Sequence, residues 1–265
     1  MLILAADTSS NAGSIALADA PAEGPLRVIV ERSWDLAGRG KVKRPGAPNH
    51  SDRIVPEIDE VLRSSGVAWS QLGGLACAIG PGSFTGLRVA LSALKGIALA
   101  LDLPLAGVST LEALAANVPY SSRRVVTMMD ARKSEVYAAV FETESGVIRR
   151  CREDAVLAPE AFLESLKSEG TPLLFLGDSR GAYGALVESI LGPFATWLDG
   201  SVALPHAGNV ARLAAAALRS PSEATHPAAV SPAYIRRPEA EWKRLPGSIA
   251  SGSEPGAGGP RRPGA

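Results

Sequence analysis

The chain has 265 residues, 46% of them hydrophobic, which is enough for sizeable cores in one large or two small domains. Its 27 Lys and Arg balance 27 Asp and Glu, so no global field steers it toward phosphate backbones and bulk charge gives no support to direct RNA binding. The cysteines, Cys77 and Cys151, form no CxxC pair and suit reduced thiols in a cytoplasmic protein, while the apolar start meets Asp7 at once, without a signal-peptide pattern. Arg88, Lys95 and Asp102 interrupt the longest apolar stretch, which argues against a membrane span.

Residues 2–6 read as a buried strand, closed by Asp7-Thr8-Ser9-Ser10-Asn11-Ala12-Gly13 and followed by a second strand over 14–18. The same order returns at 125–129, Asp130-Ala131-Arg132-Lys133-Ser134-Glu135 and 136–141. A duplicated strand, aspartate, polar turn and strand suggests two similar α/β lobes, although Asp is common at turns for local hydrogen-bonding reasons. Residues 37–49, with Arg39, Lys41, Lys43 and Arg44 among glycines and prolines, read as a basic loop: either a solvated surface or a contact for RNA or an acidic partner. Residues 50–63 carry Ile54, Val55, Ile58, Val61 and Leu62 on one helical face, with Asn49 or Ser51 as cap and Pro56 expected near the first turn.

A strand over 75–79 leads into Gly80-Pro81-Gly82-Ser83-Phe84-Thr85-Gly86-Leu87-Arg88 and a helix over 84–101. This turn lacks the lysine of a P-loop, has GxGxxxG rather than the dinucleotide spacing, and lacks the flanking glycines of a nucleophile elbow. It reads either as a close-packed turn or as an anion site at a helix N-terminus. The helix is apolar nearly all round, with small residues at Ala93, Gly96 and Ala100, which predicts burial on two sides: within the chain, or against a second helix or subunit. Pro104 ends it; a strand over 105–108 and a capped helix from Ser109 follow. Further on, 159–167 is predicted helical, 173–176 a strand with a turn at Gly177-Asp178, and the alanine-rich 209–218 a buried helix returning toward the first lobe. The lobes are placed at 1–108 and 109–245, and the Gly/Pro-rich composition of 246–265 predicts a disordered tail. His50, His206 and His226 have no ligand-spaced companions, and no metal or nucleophile constellation can be drawn; His50 reads as a polar residue at a helix start.

Taken together, Asp7-Thr8-Ser9, His50-Ser51-Asp52-Arg53-Ile54-Val55-Pro56, the turn from Gly80 to Arg88 with Lys95-Gly96, Asp130-Ala131-Arg132-Lys133-Ser134-Glu135-Val136-Tyr137 and Tyr234-Ile235-Arg236-Arg237-Pro238-Glu239-Ala240 resemble the TsaB (YeaZ) family, in order and across residues 1–240. The resemblance implies an actin-like, ribonuclease H-like duplicated α/β fold. It also implies a non-catalytic scaffold role in making N6-threonylcarbamoyladenosine beside the anticodon of tRNAs that read codons beginning with A. A TsaD-like paralogue would catalyse, a TsaE-like ATPase would join it, and ATP and magnesium would be used by those partners rather than required by this chain. The paralogue carries an HxxxH metal motif on the helix corresponding to 50–63, where this chain has Ile54 in place of the second histidine. The expected partner contact, with the paralogue or in a homodimer, involves Ile54, Ile58, Leu87, Ala90, Ala93, Leu94, Gly96 and Ile97. The turns expected to face any nucleotide hold Asp7, Thr8, Ser9, Gly82, Ser83 and Asp130. The competing reading is an independent actin-like ATPase or sugar-kinase-like enzyme using Asp7, the Gly80 turn and Asp130 around Mg-ATP; a peptidase has no nucleophile or metal site in this sequence.

Overall fold

The computed structural model describes residues 1–36 and 49–235. The basic loop before Asn49, the Arg236 to Ala240 part of the last motif, the end of the expected second lobe and the Gly/Pro tail lie outside the described residues.

The first lobe comprises β1 (Leu2–Asp7), β2 (Ala12–Asp19), β3 (Arg27–Asp35), α1 (His50–Ser65), β4 (Leu72–Gly80), α2 (Phe84–Leu101) and β5 (Leu105–Ser109). After α3 (Thr110–Ala115), the second contains β6 (Arg124–Arg132), β7 (Glu135–Glu144), β8 (Val147–Leu157), α4 (Pro159–Lys167), β9 (Leu173–Leu176), α5 (Arg180–Leu191) and β10 (Ala195–Trp197); α6 (Ala207–Arg219) follows. One sheet has the order β3-β2-β1-β4-β5 and the other β8-β7-β6-β9-β10. In each, the first two pairings are antiparallel and the last two parallel. The duplicated hairpin of the sequence thus belongs to a duplicated five-stranded sheet, the ribonuclease H-like, actin-like architecture.

Alternation along the first-lobe strands divides the sheet chemically, because successive side chains leave opposite faces. Leu4, Ala6, Ile15, Leu17, Leu75, Cys77 and Leu105 face α1 and α2, meeting Ile58, Leu62, Ala90 and Leu94 in a core of large side chains. The opposite face presents Ala5, Ala16, Ala18, Ala76, Ala78 and Ala106, and α6 lays Ala207, Ala211, Ala214 and Ala215 on it. Small side chains on both surfaces bring that helix close to the strands. This is why the chain comes back to the first lobe from α6 onward, where Val230 joins the large-residue core and the Ala233 N–H donates to the Ile79 carbonyl (2.8 Å). The last strand of the second lobe's sheet ends at Trp197. In that lobe α4 and α5 cover one face and α3 the other.

Asn49 caps α1 with a full capping box: its side chain accepts from the Ser51 and Asp52 N–H groups, and Asp52 reaches back to the Asn49 N–H. Pro56 lies in the second turn rather than the first, on an exposed side where water can serve the Asp52 carbonyl that loses its helical donor. The edge strands β3 and β8 and the helix α5 are additions to the sequence reading. The edges are charged and half exposed, and α5 carries two glycines, so none has the buried pattern that marks the central elements.

Replacing the fully buried Ala211 by Leu inserts three heavy atoms into the alanine contact and is expected to cost about 1–3 kcal/mol. Urea titration should show a lower midpoint at unchanged slope; an unchanged midpoint would mean that α6 does not lie tightly on the sheet.

Candidate functional site

Two places on the fold gather the residues singled out by the sequence: the cleft between the lobes and the outer face of α1 and α2.

The cleft has a volume of about 280 Å³ and is lined by Ser9, Ser10, Gly82, Ser83, Asp130, Arg132, Tyr137 and Asp178, among others. Of the six residues expected to face it, Ser9, Gly82, Ser83 and Asp130 do. Asp7 and Thr8 do not, and their placement explains the Gly80 turn. Thr8 is fully buried and its hydroxyl donates to the Gly86 carbonyl (2.7 Å). The Ser83 N–H donates to the Ser9 carbonyl (2.6 Å), and the Ser83 hydroxyl caps α2 by accepting from the Gly86 N–H (3.2 Å). A Cβ on Gly86 would stand 1.9 Å from the Thr8 carbonyl oxygen, and one on Gly82, at φ +156°, would stand 2.4 Å from that of Ser9. The glycines are there so that α2 can start directly against the β1–β2 turn, and the Ser83 and Gly86 donors are already engaged within the protein. Geometry therefore favours the close-packed turn over the anion site.

Asp7 lies beneath this clamp. Its carboxylate accepts from the Ser9 N–H (3.2 Å) and the Ser9 hydroxyl (2.9 Å), and burial pushes its pKa up to about 6 against the pull of those bonds. Nearby Cys77 is also fully buried, which pushes its thiol well above the ordinary range. In the second lobe, Asp178 accepts the Asp130 N–H (3.0 Å) and is itself raised, first by burial. Asp130 accepts the Arg132 N–H (2.8 Å) and pairs with the Arg132 guanidinium (3.3 Å). Asp130 thus holds its own turn, and Asp178 braces that turn from the neighbouring one. No group of three or more His, Cys, Asp or Glu with metal-binding geometry occurs among the described residues.

His50 is the first residue of α1, as its reading as a polar helix-start residue expects. It is 7% exposed and wedged between β3 and the β1–β2 turn. The Trp34 Nε1–H can only donate, so His50 Nδ1 (3.2 Å) accepts, which leaves the proton on Nε2 to be donated to the Ser10 carbonyl (2.9 Å). Ile54, one turn on, is in the core.

The second place is the helix pair. Five of the eight expected contact residues, Ile54, Ile58, Leu87, Ala90 and Leu94, are no more than 3% exposed because they form the lobe's own core under the helices. They are corrected here from partner residues to supports. Ala93 and Ile97 are half buried and Gly96 is exposed. At 100° per residue the outward face of α2 centres on Gly96 and runs through Val89, Ala93 and Ala100, with Leu99 at its side, 66% exposed. Val55 of α1 is 59% exposed, and a Cβ on Gly96 would meet nothing within 4 Å. Burial on two sides is expected of α2; the described residues cover one side. By length and composition α2 would also pass for a membrane-crossing helix, although here it lies along the sheet of the first lobe. A wider hollow of about 870 Å³, near Tyr120 and Arg123, opens at the far end of β6 and touches neither place.

The buried Asp7 makes a pH prediction. Its folded pKa lies above the ordinary 3.8, so between about pH 4 and 6 the folded state holds a proton that the unfolded chain has released. Stability contributed by the neutral carboxyl is complete below pH 4, falls as pH rises through 6 and is gone above it, a loss of about 3 kcal/mol. Asp7→Asn keeps a neutral side chain at every pH, so its melting temperature relative to wild type should rise from pH 4 to pH 7.5; a constant difference would place the charge elsewhere.

A family model described as TsaD, tRNA N6-adenosine threonylcarbamoyltransferase, matches residues 39–244. The tRNA threonylcarbamoyladenosine biosynthesis protein TsaB of Escherichia coli is 33% identical over 251 residues, 93% of this chain and 99% of that protein. The TsaB of Bacillus subtilis is 31% identical over 195 residues, 74% and 83% of the two chains. A crystal structure from Pseudomonas aeruginosa, described as similar to peptidase YeaZ, is 30% identical with a TM-score of 0.70, covering 89% of this chain and 99% of that one. With full-length similarity in sequence and in fold, the chain belongs to the TsaB (YeaZ) family.

Proposed function

We propose that this chain takes part in the biosynthesis of threonylcarbamoyladenosine in tRNA as a non-catalytic scaffold subunit that docks a TsaD-like catalytic paralogue through the outward face of α1 and α2. The observation that carries the reading is the stripe of small and apolar residues on α2, centred on Gly96 and flanked by Leu99 and Val55, which no described residue covers. An edge of mostly small side chains around Gly96 lets a second helix approach closely, and burying the exposed parts of Leu99 and Val55 on contact would contribute about 1–2 kcal/mol each. The role named for the E. coli and B. subtilis relatives, in tRNA threonylcarbamoyladenosine biosynthesis, supplies the pathway. Two features support leaving the transfer chemistry to the paralogue. Both ring nitrogens of His50 are engaged inside the protein, and the position one turn on is the buried Ile54.

In this reading a TsaE-like ATPase joins the pair, ATP and magnesium are used by those partners, and tRNA is met through the assembled complex in the cytoplasm, without a membrane. The same face would pair two copies as a homodimer when the paralogue is absent.

The test is reconstitution of tRNA threonylcarbamoylation from the paralogue, the ATPase, ATP and the activated threonine donor. Modification should require this chain, which should do nothing alone; unchanged modification in its absence, or ATP turnover by the isolated chain, would favour an independent nucleotide enzyme. Gly96→Leu meets open space in the monomer and exchanges a helix glycine for a better helix former, so it should leave the melting temperature equal or higher. In gel filtration, Gly96→Leu and Ala93→Glu should both block complex formation, and normal assembly by either folded variant would count against this docking face.

A further inference from the structure

Arg88 lies on the flank of the uncovered α2 stripe, and it is held unusually well for an exposed side chain. Its Cζ stands 3.9 Å from the Phe84 ring centroid and 5.6 Å from that of Tyr234, and the two rings are 5.1 Å apart. Its Nε–H donates to the Tyr234 hydroxyl (2.6 Å). Tyr234 is in turn positioned by the returning segment, where Val230 is buried and the Ala233 N–H donates to the Ile79 carbonyl. Two aromatic faces and one hydrogen bond thus fix the plane of the guanidinium and leave the outer Nη groups for something else.

Nothing in the described chain takes them. Arg32, Arg63, Arg124, Arg149, Arg150 and Arg152 each pair with a carboxylate, whereas Arg88 has none among the described residues, and the first turn of α2 carries no acidic residue. Arg88 instead borders a groove of about 510 Å³ between α1 and α2, formed with Ser51, Ile54, Phe84, Thr85, Val89 and Ser92. A protein docked on the α2 stripe would cover this groove and remove Arg88 from water, and a buried charge without a counter-charge costs several kcal/mol. The docked surface must therefore bring an anion.

We propose that Arg88 is the polar anchor of docking: it receives, through its Nη groups, a carboxylate side chain of the partner protein seated in the α1–α2 groove. A carboxylate is favoured over an RNA phosphate because the groove is otherwise uncharged, is largely apolar and runs into the apolar stripe; RNA contacts gain affinity from several cations along a backbone, and Arg88 is the single cation of this lining. The proposal rests on the docking reading above and adds to it the chemistry that selects the partner.

The experiment is calorimetric titration of the full-length chain with its TsaD-like paralogue. Arg88→Gln should keep the wild-type melting temperature and lose at least about 30-fold in affinity, as expected for truncating one half of a covered charge pair. Tyr234→Phe, which removes only the hydroxyl that orients the guanidinium, should lose about 3- to 10-fold. If Gly96→Leu abolishes binding but Arg88→Gln binds within threefold of wild type, the docking face stands and the anchor is overturned. If Gly96→Leu also binds normally, the docking reading itself fails. Unchanged paralogue affinity with weaker tRNA retention by the assembled Arg88→Gln complex would identify the anion as phosphate and overturn the carboxylate assignment.

Discussion

A sheet that is apolar on both faces needs a layer on each, and in the first lobe the two faces demand different layers. Strand alternation puts leucine and isoleucine on one side and alanine on the other. The large-residue face takes two helices, α1 and α2, whose inner sides supply Ile58, Leu62, Ala90 and Leu94 to a common core. The alanine face accepts only a helix that is itself lined with alanine, and α6, nearly a hundred residues farther along the chain than β5, is that helix. Its return closes the first lobe and carries the last described segment back across the start of α2.

That arrangement accounts for the character of both candidate sites. Because the β1–β2 turn and the start of α2 must meet at backbone distance, Gly82 and Gly86 carry no side chain and Thr8 faces inward, its hydroxyl on the Gly86 carbonyl. The turn therefore serves as a joint between β1, β2 and α2, and Asp7 beneath it is a buried carboxyl under tension between desolvation and the Ser9 bonds. His50 completes the joint from α1, its tautomer set by Trp34. The principal groups of the cleft hold one another in place. With α1 and α2 fixed from below, their outer face is presented as a rigid surface, which under the proposed docking would lower its entropic cost.

The returning segment gives that surface its one oriented charge. Phe84 and Arg88 belong to α2 and Tyr234 to the far end of the described chain, so the stack exists only because Val230 and Ala233 pin the segment against β4 and β5. A stripe of small residues provides close approach but little discrimination; a guanidinium with a fixed plane adds a requirement that a partner either meets or fails.

The sequence by itself determined the central strands, the helices with clear apolar faces and the duplicated hairpin, and narrowed the cap of α1 to Asn49 or Ser51, since each is a matter of local periodicity and turn chemistry. It also indicated that α2 is apolar on two sides, leaving open whether the second side is covered within the chain or by another subunit. It did not determine which side: Leu87, Ala90 and Leu94 look as suitable for a partner as Ala93 and Gly96 until the sheet is placed beneath them. Nor could it distinguish an Asp7 aimed at a cleft from one closed under Ser9, assign His50 to Trp34 and Ser10, or bring Tyr234 to Arg88, 146 positions away. Those outcomes were decided by tertiary structure, because they depend on contacts between segments whose separation along the chain leaves no periodic trace in it.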